Sequence, residues 1–117
     1  GGGYDNKQIF TPQVLEQFTN SQASDETYGL GWRRAGHQAR KWHFGPYASP
    51  RAFGHTGWTG TVTVFDPEYD LAIVLLTNAR HTPIEGSQEN YQFVGKRFET
   101  GKYGSIISLI YESILNH

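Results

Sequence analysis

The sequence predicts an α+β domain spanning residues 1–117, an antiparallel sheet flanked by N- and C-terminal helices. Three observations predict it. Two strand-like runs, 59–65 and 71–77, are separated by the turn chemistry Asp66-Pro67-Glu68-Tyr69-Asp70 and read as a hairpin. A helix-start signal stands at Thr11-Pro12. An apolar stretch at helical spacing, 105–115, closes the chain.

Taken in order, residues 1–6 are Gly-rich and loop-like. Thr11 is the expected N-cap of a helix whose first residue is Pro12, with Val14, Leu15 and Phe18 on one face. Residues 20–27 are polar and loop-like. The run Tyr28-Gly29-Leu30-Gly31-Trp32-Arg33-Arg34 alternates bulky and small residues, which fits a strand. Glycines inside it mark close approach of another backbone. Residues 36–51, rich in Gly, Pro, His and Arg, read as a long irregular excursion of the kind that often carries function.

Ala52-Phe53-Gly54-His55-Thr56-Gly57 follows, and then the β-branched run 59–65. The run 71–77 is apolar on both faces, so a central place in the sheet is expected for it. Residues 79–88 read as a polar loop and 89–98 as a short helix. In 105–115, Ile106, Ile107, Ile110, Ile114 and Leu115 fall at helical spacing, with Gly104 or Ser105 as cap. The β-branched content lowers the intrinsic helix propensity of this segment.

Composition narrows the function. Apolar residues make up only 37% of the chain while aromatics reach 15%, so aromatic rings must supply much of the buried area. A net charge of −1 gives no general attraction to nucleic acid or to an anionic surface. The absence of Cys excludes disulfides and thiolate metal sites. The longest apolar run, 71–76, is strand-sized and far too short to span a bilayer. The chain starts Gly-Gly-Gly, shows no signal-peptide pattern and contains no Met, which suggests a fragment or a processed product.

Neither the histidines nor the basic residues form a strong pattern. His37, His43, His55, His81 and His117 lack metal-site spacing, so no metal is expected, and those outside the motif below read as solvated loop side chains. Arg33, Arg34, Arg40 and Lys41 lie among Trp32, His37, Trp42 and His43, a mixture that in other settings binds single-stranded nucleic acid. With a near-neutral total, solvated loop charges are the better reading, and an anionic substrate group the next. The closing helix has no Lys or Arg within 105–115, which favours packing on the sheet over an anionic membrane surface.

The informative stretch is Phe53-Gly54-His55-Thr56-Gly57-Trp58-Thr59-Gly60. Small residues leave a strand backbone accessible, and His55 with Thr56 puts a proton-exchanging ring and a hydroxyl at that opening. His55-Thr56-Gly57 resembles the third active-site motif, Lys-Thr-Gly or His-Thr-Gly, of the serine β-lactamases, penicillin-binding proteins and related serine hydrolases. Tyr28-Gly29-Leu30-Gly31-Trp32 resembles the strand before that motif, and Asp70-Leu71-Ala72-Ile73-Val74-Leu75-Leu76-Thr77-Asn78 the strand after it. Residues 2–12 resemble the segment leading into an upstream helix.

The resemblance implies a partial β-lactamase/transpeptidase-like fold and acyl-enzyme chemistry on an amide, ester, peptide or β-lactam. It implies that His55 and Thr56 hydrogen-bond the substrate, that Gly57 keeps the strand open, and that the backbone N–H of Trp58 donates to the oxyanion hole. It implies no cofactor, and a location outside the cytoplasm or in the cell envelope.

The departure from the family pattern concerns the nucleophile. None of Ser21, Ser24, Ser49, Ser87, Ser105, Ser108 or Ser113 is followed at the third position by Lys. Tyr4-Asp5-Asn6 and Tyr47-Ala48-Ser49 match the family's tyrosine motif only as letters, and in a part of the chain where that motif does not belong. The expectation is a C-terminal portion whose nucleophile-bearing helical lobe is absent, inactive alone. Its partners would be the remainder of the parent polypeptide, carrying Ser-x-x-Lys, and a small-molecule or peptide substrate. Nucleic acid and membrane insertion are not expected, and open sheet edges would favour self-association. The rival expectation is a non-catalytic binding or structural module built on the same fold.

Overall fold

The computed structural model describes residues 2–22, 24–36, 41–77, 84–85, 92–93 and 103–115. Its centre is the hairpin expected from the sequence. Strand β5 (Val62–Asp66) pairs antiparallel with β6 (Leu71–Leu75), in the register Val64↔Ile73. The intervening turn ends at Asp70, whose φ of +49° is a left-handed conformation that Asp tolerates better than most residues. On its other side β5 pairs with β4 (Phe53–Thr56), Gly54 opposite Val64 and His55 opposite Thr63. Strand β3 (Arg33–Arg34) pairs with β4, and completes an antiparallel sheet in the order β3-β4-β5-β6.

Side chains alternate between the two faces of a strand, and cross-strand partners share a face. One face carries Val62, Val64 and Asp66 with Leu71, Ile73 and Leu75. Against it lie the helices α2 (Lys41–Phe44) and α3 (Tyr103–Leu115). Phe44, Ala52, Val62, Val64, Ile73, Tyr103, Ile107 and Tyr111 are all buried there, and form one core. Each fully buried Val, Ile or Phe contributes about 1.5–3 kcal/mol relative to exposure. The opposite face carries Phe53, Phe65, His55, Thr63 and Val74. Trp32 covers part of it, edge-on to Phe53 and Phe65 at 5.6 and 5.7 Å between centroids.

The α+β prediction holds, with several elements placed differently. Part of the 1–6 loop is a hairpin of β1 (Gly3–Tyr4) and β2 (Lys7–Gln8), turning at Asp5 and Asn6 with φ of +49° and +59°. Both turn residues are of the kind that a two-residue hairpin turn favours. Helix α1 (Pro12–Thr19) starts where expected, the Thr11 hydroxyl accepting from the Val14 N–H at 3.3 Å. Val14 and Leu15 are half-buried, but Phe18 is exposed.

The expected strand over 28–34 is mostly a reversal. Gly31 takes φ +81°, the Gly29 N–H reaches the Trp32 carbonyl at 2.8 Å, and Tyr28 bridges back to Arg33. Only Arg33 and Arg34 remain as strand. The excursion 36–51 contains α2, whose His43 and Phe44 are buried. Strand β5 begins three residues later than its β-branched run, because Thr59 and Gly60 belong to the preceding turn.

Among the described residues strand β6 is not central. It ends the sheet among the described residues, and Val74 and Leu76 beside that end are 59% and 77% exposed. Within the expected 89–98 helix, Gln92–Phe93 instead forms β8 against β7 (Ile84–Glu85). The rest of that expected helix, and most of the 79–88 loop, lie outside the described residues. Helix α3 starts at Tyr103, so Gly104 and Ser105 lie in its first turn rather than capping it. Its buried stripe is Tyr103, Gly104, Ile107 and Tyr111, with Ile110 half-buried, while Ile106, Ile114 and Leu115 are exposed. No helix among the described residues is long and apolar enough to cross a membrane.

Candidate active site

The motif singled out in the sequence occupies the end of β4 and the turn into β5. Gly54 is fixed by its neighbour, since a Cβ there would lie 2.0 Å from the Thr63 carbonyl oxygen. Thr63, opposite His55, grips the backbone of that residue. Its hydroxyl accepts from the His55 N–H at 3.2 Å and reaches the His55 carbonyl at 3.4 Å. The His55 ring is half-buried, and its Nδ1 lies 2.8 Å from the Thr56 carbonyl oxygen. A carbonyl oxygen only accepts, so Nδ1 carries a proton, which in the neutral ring leaves the Nε2 lone pair to act on a ligand.

Thr56 is opposite Val62, so its side chain points to the face away from His55. Gly57 then closes a tight turn. Its N–H donates to the Thr61 carbonyl at 2.7 Å, and its own carbonyl accepts from the Gly60 N–H at 3.1 Å. Gly60, at φ +106°, is tied in turn by the Thr77 hydroxyl, which donates to its carbonyl at 2.6 Å. Trp58 sits in this turn and is 69% exposed.

The backbone edge beside His55 and Thr56 is the notable feature. In an antiparallel ladder, successive peptide groups turn alternately to the two neighbours. Gly57 faces β5, so the N–H and carbonyl of Thr56 face the β3 side. Strand β3 pairs only Gly54 and Phe53 and then reverses through Gly31, so it ends before Thr56. The Thr56 peptide thus lies on an edge that β3 does not cover. Of the four residues picked from the sequence, the structure brings His55 and Thr56 to this edge and puts Gly57 and Trp58 in the adjoining turn.

Sequence reasoning missed Tyr28 and Arg33, which flank the histidine. The Tyr28 ring lies 6.4 Å from that of His55, tilted by 57°, and Arg33 Nε donates to the Tyr28 hydroxyl at 2.9 Å. No sequence signal predicts this, because it depends on the reversal at Gly31. His43, expected to be a solvated loop residue, is instead fully buried. It stacks on Phe44 at 4.1 Å, with Nε2 3.3 Å from the Thr63 carbonyl. His37, His81 and His117 lie outside the described residues. Among the described residues no group of three or more His, Asp or Glu is placed to hold a metal.

The polar centre of the core is a second finding. Asp66 is buried and accepts from the Ser49 N–H at 2.8 Å, the Ser49 hydroxyl at 2.6 Å, the Tyr111 hydroxyl at 2.6 Å and the Glu68 N–H at 3.1 Å. Burial pushes its carboxyl up, but these donors outweigh it and the net shift is downward. Burial, and then the bond to Asp66, holds the Tyr111 phenol above its usual range. Ser49 is thereby committed to the core and is not placed as a nucleophile. Tyr47 of the same letter pattern has its phenol raised by its hydrogen bond with Glu112. Tyr4 of the other pattern lies in the exposed β1–β2 hairpin.

Shallow hollows occur among the described residues. One, of about 500 Å³, lies against Gly3 to Gln8, and one of about 210 Å³ lies at the turn joining β5 and β6. Neither of these is lined by His55.

Comparison with known proteins places these observations. A family model described as Beta-lactamase matches residues 3–93. The chain is 51% identical over 114 residues to an N-acetylmuramyl-L-alanine amidase of Bacillus subtilis (strain 168), covering 97% of this chain and 26% of that protein. It is 42% identical over 115 residues to a putative D-alanyl-D-alanine carboxypeptidase of Escherichia coli O157:H7, with 97% and 26% covered. A protein of the same description from Salmonella gallinarum is 43% identical over 115 residues, with 97% and 27% covered. The chain thus spans about a quarter of the length of these curated relatives. No solved structure matches it.

Proposed function

The chain belongs to the beta-lactamase family of hydrolases, and from that premise we propose that it is the C-terminal wall of an acylating serine site. The observation that carries the proposal is the Thr56 peptide edge, uncovered by β3, with the His55 Nε2 presented beside it. In this reading an acyl group lies along that edge. His55 and Thr56 hold the substrate, Gly57 keeps the strand end low, and the Trp58 N–H is one of two donors to the tetrahedral oxyanion. A donor of that kind contributes about 3–4 kcal/mol to catalysis. The nucleophilic Ser, activated by Lys, belongs to a helical lobe supplied by the rest of the polypeptide. The relatives' names, amidase and carboxypeptidase, both describe cleavage of an amide bond involving alanine. An amide of that type, in cell-envelope material, is accordingly the proposed substrate class.

Seven serines, none followed at the third position by Lys, support the corollary that this chain alone hydrolyses nothing by this route. The same observation is the one that favours a second reading, a binding module without chemistry. One experiment separates the two. An antibody against this chain and a fluorophosphonate or penicillin probe are applied to the same gel of source-cell lysate. A probe-labelled band well above 13.2 kDa supports the hydrolase. An unlabelled band at this size rejects it and supports the module.

A further inference from the structure

We infer that Tyr28, pinned by Arg33, is a positioning residue that sets the tautomer of His55. The inference deepens the reading of His55 as a substrate-facing ring and rests on it. Three contacts form a chain. Arg33 Nε donates to the Tyr28 hydroxyl at 2.9 Å, the Tyr28 ring lies 6.4 Å from the His55 ring at 57°, and His55 Nδ1 donates to the Thr56 carbonyl at 2.8 Å. The backbone holds both ends of this chain. Tyr28 bridges to Arg33 across the Gly31 reversal, and Arg33 pairs with Gly54, the residue before His55.

A half-buried imidazole on a strand has two orientations about its last side-chain torsion, which exchange the places of Nδ1 and its carbon neighbour. Only one of them puts Nδ1–H on the Thr56 carbonyl and leaves Nε2 as the acceptor. An aromatic ring at 6.4 Å, within contact range, favours one orientation over the other, and does so best when it is itself immobile. Arg33 supplies that immobility. Its guanidinium is a planar donor of fixed geometry that holds the phenol at 2.9 Å.

The test is made on the 117-residue chain with ¹⁵N-labelled histidine, and reads the His55 ring nitrogens at alkaline pH. The Nδ1–H form is expected to dominate. Tyr28→Ala is expected to move the tautomer ratio toward Nε2–H by roughly 3- to 10-fold, the worth of one ring contact. Tyr28→Phe, which keeps the ring, is expected to restore most of the ratio. Arg33→Met is expected to lower it in the Tyr28 background and to leave it unchanged in the Phe background. An unaltered ratio in Tyr28→Ala, with the amide spectrum of β4–β6 intact, overturns the inference. If Tyr28→Ala unfolds, Tyr28→Leu is read in its place, with the same two outcomes. The functional reading fails separately. If His55→Ala leaves hydrolysis by the parent enzyme unchanged, the role of His55 is wrong whatever the tautomer does.

Discussion

Asp66, the last residue of β5, and Tyr111, in the third turn of α3, are joined by a buried hydrogen bond of 2.6 Å that spans 45 residues of sequence. It ties the closing helix to the hairpin at its turn end, and Ser49 brings the segment between α2 and β4 to the same carboxylate. A buried carboxylate with four donors is costly to disturb, because each partner left behind is itself buried or committed. Tyr111→Phe is expected to cost about 1–3 kcal/mol in urea unfolding. Asp66→Ala, which strands the Ser49 and Tyr111 hydroxyls together, is expected to cost about 3 kcal/mol or more.

The same pair gives a pH dependence with a definite sign. The folded-state pKa of Asp66 is depressed, against the pull of its burial, by its hydrogen-bond donors. Its contribution is therefore complete above the unfolded value of about 3.9 and is lost as pH falls through the folded value. Tyr111 is raised, so its contribution is complete below the ordinary phenol value of about 10 and declines as pH rises beyond it. Unfolding free energies measured across pH should show both arms. Asp66→Asn should flatten the acid arm, and Tyr111→Phe the alkaline one.

Two glycines in the motif make a matched test of what kind of neighbour excludes a side chain. At Gly54 a Cβ would meet the Thr63 backbone carbonyl at 2.0 Å, and at Gly57 it would meet the Thr61 Oγ1 at the same distance. A hydroxyl can rotate or be removed, whereas a paired carbonyl cannot. Gly54→Ala is expected to destabilise by about 2–3 kcal/mol or more, with no relief from Thr63→Ala. Gly57→Ala should cost less, and Thr61→Ala should recover most of the loss. Thermal or urea unfolding of the two double variants checks both statements.

The β6 end of the sheet carries a prediction about association. Val74 and Leu76 are exposed there, and no strand pairs beyond β6 among the described residues. An uncovered strand edge with apolar side chains is a template for another strand. The 117-residue chain is expected to self-associate with rising concentration in sedimentation experiments, and Val74→Lys to shift it toward monomer. A clean wild-type monomer at high concentration would count against this.

What the sequence made legible follows from how local each signal is. Thr11-Pro12 needs only its own next turn of helix to act, and α1 starts there. The β5–β6 hairpin follows from two neighbouring runs and the turn between them. Residues 28–34 were harder, because bulky–small alternation describes a strand and a glycine reversal equally well, and only Gly31 at φ +81° separates them. The apolar run of β6 reads as central because both of its faces are hydrophobic, yet sheet position depends on partners that lie elsewhere in a chain. On α3, Ile107 and Ile110 of the expected set face the core, whereas Ile106, Ile114 and Leu115 do not. The core is held as much by Tyr103 and Tyr111, and the value of Tyr111 lies in reaching Asp66, a contact no periodicity encodes. At the candidate site the four motif residues were legible because they are contiguous, whereas Tyr28 and Arg33 join them only through the fold.

His55 and Thr56 are adjacent, yet they point to opposite faces of the sheet, with the Thr56 peptide group on the edge between them that β3 does not cover. A ligand held by both side chains cannot lie flat on either face. It must wrap the strand edge, meeting one anchor on each face and one on the edge between them. Three unlike anchors reached from one side distinguish an object from its mirror image, so molecules that engage all of them are sorted by handedness before any bond is broken.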